Sequence, residues 1–182
     1  MKSYNSLPLV FLFFCFFLFH YSAASSSDVL YRACKDAADG DPNIHYNFCV
    51  SCLEENPKSH NASLKGLFKI SIGLAKSNAT SIKSLVSKLL TNNSLSKHAK
   101  SSLKTCSEVY SEAISDLKDA IAAFKLKDYS TTNIRISAAM DASDTCEEGF
   151  KEEGDVSPLK KEDNEFFELT AIALAFLSMF RS

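Results

Sequence analysis

The sequence has no tryptophan, and it holds five glycines and four prolines among 182 residues. These few breakers sit mostly between periodic segments, which points to helices joined by short turns. Hairpin signals are missing. No Asn-Gly or Asp-Gly joins two alternating runs, and Asp39-Gly40 precedes a stretch that does not alternate, so a β-hairpin architecture is excluded. The sequence also lacks His-Glu-x-x-His, Gly-x-Ser-x-Gly and a Gly-rich phosphate loop. His45, His60 and His98 are not spaced from one another, or from cysteine, as a metal site requires. Neither a cofactor nor a metal is expected.

Long apolar runs are scarce as well. Leu7–Phe19 is thirteen residues long, short of the roughly 20 that span a bilayer. Lys2 precedes it and Ser22-Ala23-Ala24 follows, so residues 1–24 read as a secretory signal peptide cut after Ala24. The chain is then expected outside the cell, in the apoplast, with no membrane partner once the leader is gone. Residues 25–182 suffice for one domain. Loss of Lys2 takes the net charge from −2 to −3. That near-neutral balance, with no basic stripe, excludes nucleic acid as a partner. The second apolar run, Leu169–Phe180, is too short to span and is approached through Glu165 and Glu168. A lipid-anchor signal would use Gly154 and Ser157 as its small-residue site. A buried bundle helix is preferred, because its removal would leave three helices around an open groove.

What is present is helical periodicity and paired cysteine. Residues 25–57 read as a short helical hairpin, with Val29, Leu30, Ala33 and Cys34 on one stripe and Phe48, Cys49, Cys52 and Leu53 on the other. Gly40-Asp41-Pro42 lies between. Residues 63–180 read as four amphipathic helices. The first carries Leu64, Leu67, Ser71, Leu74, Asn78, Ile82, Leu85 and Leu89, widened by Phe68, Ala75 and Val86. The second carries Leu103, Cys106, Tyr110, Ala113, Leu117, Ala120 and Phe124. Ile136, Ala139, Cys146 and Phe150 mark the third. Leu159, Phe166, Leu169, Ala173, Phe176, Leu177 and Phe180 mark the fourth, which Ser157 caps with Pro158 at its first position. The connectors are 91–95, 126–130 and 152–157. The expected fold is all-α: an up-down-up-down four-helix bundle preceded by a short disulfide-stapled hairpin.

Five cysteines remain after Cys15 leaves with the leader. In an antiparallel hairpin, residues equidistant from the turn lie side by side. Cys34 and Cys49 flank Gly40-Asp41-Pro42, and Cys106 and Cys146 flank residue 126, so each pair is a candidate disulfide. Cys34 with Cys52 is the alternative, its midpoint shifted to Asn43; Cys49 is preferred and Cys52 becomes the odd thiol. Cys49-Val50-Ser51-Cys52 is a CxxC, but no strand precedes it as a redox motif requires. Glu162, Asp163, Glu165 and Glu168, near a helix start, are accounted for by the macrodipole. Glu147, Glu148, Glu152 and Glu153 read as a solvated face. Three sequons begin at Asn61, Asn78 and Asn92. Asn61 and Asn92 fall at helix ends, whereas Asn78 falls mid-helix near the seam. Ser71 and Asn78, polar entries in that seam, motivate a third idea, a small ligand held in a gap of the bundle.

The chain resembles the plant invertase inhibitor and pectin methylesterase inhibitor family over essentially all of 25–182. The resemblance is carried by Cys34 and Cys49 around a short turn, by Cys106, by Ile136-Ser137-Ala138-Ala139, and by Thr145-Cys146-Glu147-Glu148-Gly149-Phe150. Asp41-Pro42-Asn43 to Phe48-Cys49, Pro57-Lys58-Ser59-His60 and Phe124 to Tyr129 are most similar to an invertase-inhibitor branch that includes a plane-tree pollen allergen. Cys52 departs from the four-cysteine pattern. The resemblance implies a helical hairpin before a four-helix bundle, two disulfides, and a protein that blocks an enzyme rather than being one. The implied partner is an acid invertase or a pectin methylesterase. Inhibitors of the tobacco type insert a Pro-Lys-Phe tripeptide, from the turn between the second and third bundle helices, into the sugar site. Tyr129, Ser130 and Thr131 stand at the matching positions, and Asp128 matches the Asp before the tripeptide. Asp128, Tyr129, Ser130 and Thr131 are therefore the expected target contacts.

Overall fold

The computed structural model describes residues 26–181; the proposed leader and Cys15 lie outside the described residues. Among the described residues six α-helices follow one another: α1 (Ser26–Gly40), α2 (Tyr46–Glu54), α3 (Leu64–Leu90), α4 (Lys97–Lys125), α5 (Tyr129–Glu152) and α6 (Lys160–Arg181), with a 3₁₀ turn over Ser59–Asn61. Each of α3 to α6 packs against its neighbour in sequence, and α3 closes the ring on α6. This is the up-down-up-down bundle that short connectors impose.

Helix starts follow local chemistry. Ser63 Oγ accepts from the Gly66 amide at 3.3 Å and Ser96 Oγ from the Ala99 amide at 2.9 Å, each cap contributing about 1 kcal/mol. The buried stripe of α4 (Leu103, Cys106, Tyr110, Ala113, Leu117, Ala120, Phe124) keeps the predicted phase, and Ile136, Ala139, Cys146 and Phe150 of α5 are buried too. In α3 the buried face is Leu67, Phe68, Ser71, Ile72, Ala75, Ala79, Ile82 and Val86, rotated from the predicted seam. Leu64, Leu74, Leu85 and Leu89 are only half-buried against the core. The two stripes are adjacent, and the neighbours of α3, not its periodicity, select between them. Phe166, Leu169, Ala173, Phe176 and Leu177 of α6 are buried. Burial of the Phe and Leu side chains contributes roughly 1.5–3 kcal/mol each. The run Leu169–Phe180 is thus a bundle helix, and among the described residues no helix is long and apolar enough to cross a membrane.

Two predicted boundaries move. The connector expected over 126–130 spans 126–128, because Asp128 caps α5 and draws Tyr129 and Ser130 into its first turn. Helix α6 begins at Lys160 rather than Pro158; Ser157 Oγ accepts from the Leu159 amide at 3.1 Å, closing a local turn ahead of the helix.

The disulfides are Cys34–Cys49, with Cα atoms 5.7 Å apart, and Cys106–Cys146, 4.7 Å apart. The second holds α4 and α5 at close range where Ser102 Oγ also donates to the Gly149 carbonyl at 2.9 Å. The α1–α2 hairpin is fastened to the bundle by Glu168 of α6, which accepts from the His45 amide at 2.6 Å and lies 3.2 Å from His45 Nδ1. Three sequence expectations are corrected here, the first being that Glu147 belongs to a solvated face, since its Oε1 is buried. Glu168 is not a free dipole partner, and Asp163 is not solvated at all, being 1% exposed. Periodicity cannot reveal this, because both acids satisfy needs of other helices.

Candidate functional site

Helix α4 ends in a Schellman turn. The Lys127 amide donates to the Phe124 carbonyl at 3.1 Å and the Asp128 amide to the Ala123 carbonyl at 3.0 Å. The motif puts Lys127 at φ 62, the left-handed region that disfavours a side chain. Asp128 then starts α5 at once. Its carboxylate accepts from the Thr131 amide at 3.0 Å and from Thr131 Oγ1 at 2.7 Å. The Thr131 amide, then its hydroxyl, hold the Asp128 carboxyl below its ordinary range.

Beneath the turn lies an aromatic floor. Phe124 stacks at 4.2 Å on Phe68 and lies 5.6 Å from Tyr129; Tyr129 meets Phe180 edge-on at 5.5 Å. Lys65 Nζ stands 5.6 Å from the ring centroids of both Phe124 and Phe180, a cation–π arrangement. The start of α3 and the end of α6 therefore support the turn between α4 and α5.

The four residues expected as contacts are brought together but divide by role. Tyr129 packs downward and is half-buried, Asp128 and Thr131 engage each other, and Ser130 faces solvent. Three further surface residues were not singled out from the sequence. Leu126 is 81% exposed and Ile134 is 62% exposed, and Lys127 projects between them in sequence. The signal for the first two was legible: Leu126 lies two residues beyond Phe124, the last inward residue of α4, and Ile134 falls out of phase with Thr132, Ile136 and Ala139. Ile134 lies one turn beyond Ser130 on the same helix face. Arg135 Nη1 donates to Asp116 Oδ1 at 2.8 Å, fixing α5 to α4 beside this surface.

Elsewhere, Cys52 is a free thiol whose Sγ donates to the Cys49 carbonyl at 3.3 Å. Burial, then the Glu168 and Glu55 carboxylates, push it up to about 12, so it carries almost no reactive thiolate. Ser71, one motive for a ligand gap, is satisfied within its helix by the Phe68 carbonyl at 2.9 Å. Asn78 borders a surface groove with Cys52 and Glu165, and its Oδ1 is buried. Asn92 is exposed in the α3–α4 loop, where its Oδ1 accepts from the Ser94 amide at 3.0 Å and Ser94 Oγ at 2.8 Å. Asn61 is exposed at the end of the 3₁₀ turn.

Comparison with known proteins is consistent across sequence and structure. The chain is 41% identical over 169 residues, 92% of its length and 94% of the relative's, to a Platanus acerifolia protein named "Putative invertase inhibitor". It is 34% identical over 165 residues, 90% of its length and 94% of the relative's, to "Pectinesterase inhibitor 12" of Arabidopsis thaliana. Its fold is similar to the crystal structure of a mutant form of a pectin methylesterase inhibitor from Arabidopsis, with a TM-score of 0.68 at 23% identity, covering 80% of this chain and 96% of that one. The profile described as plant invertase/pectin methylesterase inhibitor matches residues 28–176. On that match the chain belongs to the plant invertase/pectin methylesterase inhibitor family, a family of proteinaceous inhibitors rather than enzymes.

Proposed function

We propose that this chain is a secreted inhibitor of an acid invertase, acting in the apoplast and docking through the α4–α5 end of the bundle to occlude the substrate cleft. The observation that carries the choice of target is the 41% identity to the Platanus acerifolia protein over 92% of the chain. Residues 1–24 serve as its leader, 25–182 form the inhibitor domain, and Asn61 and Asn92 are its glycan acceptors. In this reading Leu126, Lys127, Ser130 and Ile134 touch the enzyme, while Asp128, Tyr129 and Thr131 hold the shape they sit on. Preorganisation supports it: a turn already fixed by a cap and a ring cluster loses little freedom on binding. Inhibition of a pectin methylesterase is the second reading, favoured by the 34% identity to the Arabidopsis thaliana pectinesterase inhibitor over 90% of the chain.

Titration of the purified chain into an acid invertase and a pectin methylesterase at acidic pH tests this. Loss of invertase activity alone is the expected result. Loss of pectin methylesterase activity alone transfers the function to the second reading, and loss of neither refutes both. Leu126→Asp is expected to weaken inhibition about tenfold or more with an unchanged denaturation midpoint.

A further inference from the structure

At the other end of the bundle, three helices send acidic hydroxyl and carboxyl groups to one buried point. Tyr110 of α4 is fully buried, edge-on to Phe166 with ring centroids 5.2 Å apart. Its hydroxyl donates to Asp163 Oδ1. Asp163 stands in the first turn of α6 and is 1% exposed. Its second oxygen, Oδ2, is buried without a donor, and so is Oε1 of Glu147 on α5. The Asp163 and Glu147 carboxyl groups lie within hydrogen-bonding reach of each other. Two carboxyl groups in such reach cannot bond to each other while both are ionised, and the like charges repel. A single proton placed between them satisfies both.

Among the described residues, the charges that bear on this point do not resolve the conflict. On its own helix Asp163 faces the further negative charge of Glu162, and Asp144 of α5 bears on Tyr110. Lys151 and Lys160 line the groove outside Glu147 at the surface. The residues α3 buries, Leu67, Phe68, Ser71, Ile72, Ala75, Ala79, Ile82 and Val86, are none of them titratable. Among the described residues no group of three or more His, Cys, Asp or Glu is placed to hold a metal ion.

We propose that Asp163 and Glu147 share one proton and, with Tyr110, form a clamp joining α4, α5 and α6 that is closed in acid and loosens as the pH rises. The direction of the titration agrees. Burial, then the Glu147 carboxyl, push Asp163 up to about 8, against a smaller opposing effect of the Tyr110 hydroxyl. Burial, then the Asp163 charge, raise Tyr110 as well, so the phenol remains a donor throughout. Between the ordinary carboxyl value and about 8 the folded chain holds a proton that the unfolded chain has lost. Stability from this clamp is therefore complete in acid and declines as pH rises through that window.

Two readouts test the clamp. The first is the infrared spectrum of the folded protein near neutral pH. A protonated carboxyl stretch is expected there, lost on raising the pH to about 9 and missing in Asp163→Asn. The second is the denaturant midpoint of the wild type, expected to fall between about pH 5 and about pH 9. Asp163→Asn supplies a permanent amide donor to Glu147 and keeps an acceptor for Tyr110, so its midpoint is expected to lose most of that dependence. If Asp163→Asn does not fold, Glu147→Gln offers the same donor from α5, and the infrared spectrum of the wild type decides by itself if neither folds. A missing carboxyl stretch overturns the proposal and leaves a dianion bridged by water. A pH dependence that survives undiminished in a folded variant also overturns it.

Discussion

At one end of the bundle the α4–α5 turn closes over the rings of Phe124, Tyr129 and Phe180; at the other the α5–α6 turn closes beside Tyr110, Glu147 and Asp163. The backbone device is the same. In the second turn the Gly154 amide donates to the Lys151 carbonyl at 3.1 Å and the Asp155 amide to the Phe150 carbonyl at 3.0 Å, another Schellman motif. The residue at the left-handed position differs: Gly154 at φ 70 in one turn, Lys127 at φ 62 in the other. Glycine occupies that conformation without steric cost, whereas a side chain there costs roughly 1 kcal/mol or more. The strained residue sits at the end with the exposed Leu126 and Ile134. The relaxed one sits where α5 hands over to the buried acids and where His98 Nδ1 pairs with Glu153 at 2.5 Å. One end therefore displays side chains on a rigid apolar floor, and the other ties helices together through polar groups.

Substitutions that break this contrast differ in size. Replacing both Cys106 and Cys146 by alanine removes the covalent tie between α4 and α5 at the acidic end and opens a loop of 40 residues. It is expected to cost about 4 kcal/mol, read as a fall in the denaturant midpoint. Phe180→Ala strips the floor from under Tyr129. Because Phe180 is only half-buried, about 2 kcal/mol is expected, and inhibition should weaken with it. An unchanged inhibition constant would separate the floor from function. The smallest pair sharpens the comparison most directly. Gly154→Ala is expected to destabilise by about 1 kcal/mol, whereas Lys127→Gly relieves the left-handed strain and is expected to stabilise by a few tenths to about 1 kcal/mol. Equal signs for these two in thermal unfolding would show that the turns are not equivalent after all.

The parts of the fold legible in the sequence were those governed by one helix at a time. The stripe of α4 was read correctly because all seven of its expected inward residues, from Leu103 to Phe124, face a single seam. The seam of α3 was misphased because two adjacent apolar stripes run along it, and a helix alone offers no basis for choosing. Asp128 was singled out through the family resemblance; its capping bond to Thr131, which shortens the connector, is a matter of local geometry that spacing leaves open. Glu168 and Asp163 were misread for a different reason. Their positions near the start of α6 suit the macrodipole, yet one binds the backbone of His45, 123 residues away, and the other meets Tyr110 and Glu147 on two other helices.

The amino-acid sequence by itself determined the helical class, the positions of the turns and which cysteines could meet, since periodicity, breakers and equal distance from a turn act along the chain. Tertiary structure alone decided which face of α3 is buried, which surface the α4–α5 turn presents, and that carboxyl groups from α5 and α6 come together with an oxygen of each buried. Those outcomes depend on what a neighbouring helix places opposite a side chain, and burial, unlike periodicity, is set only when the helices meet.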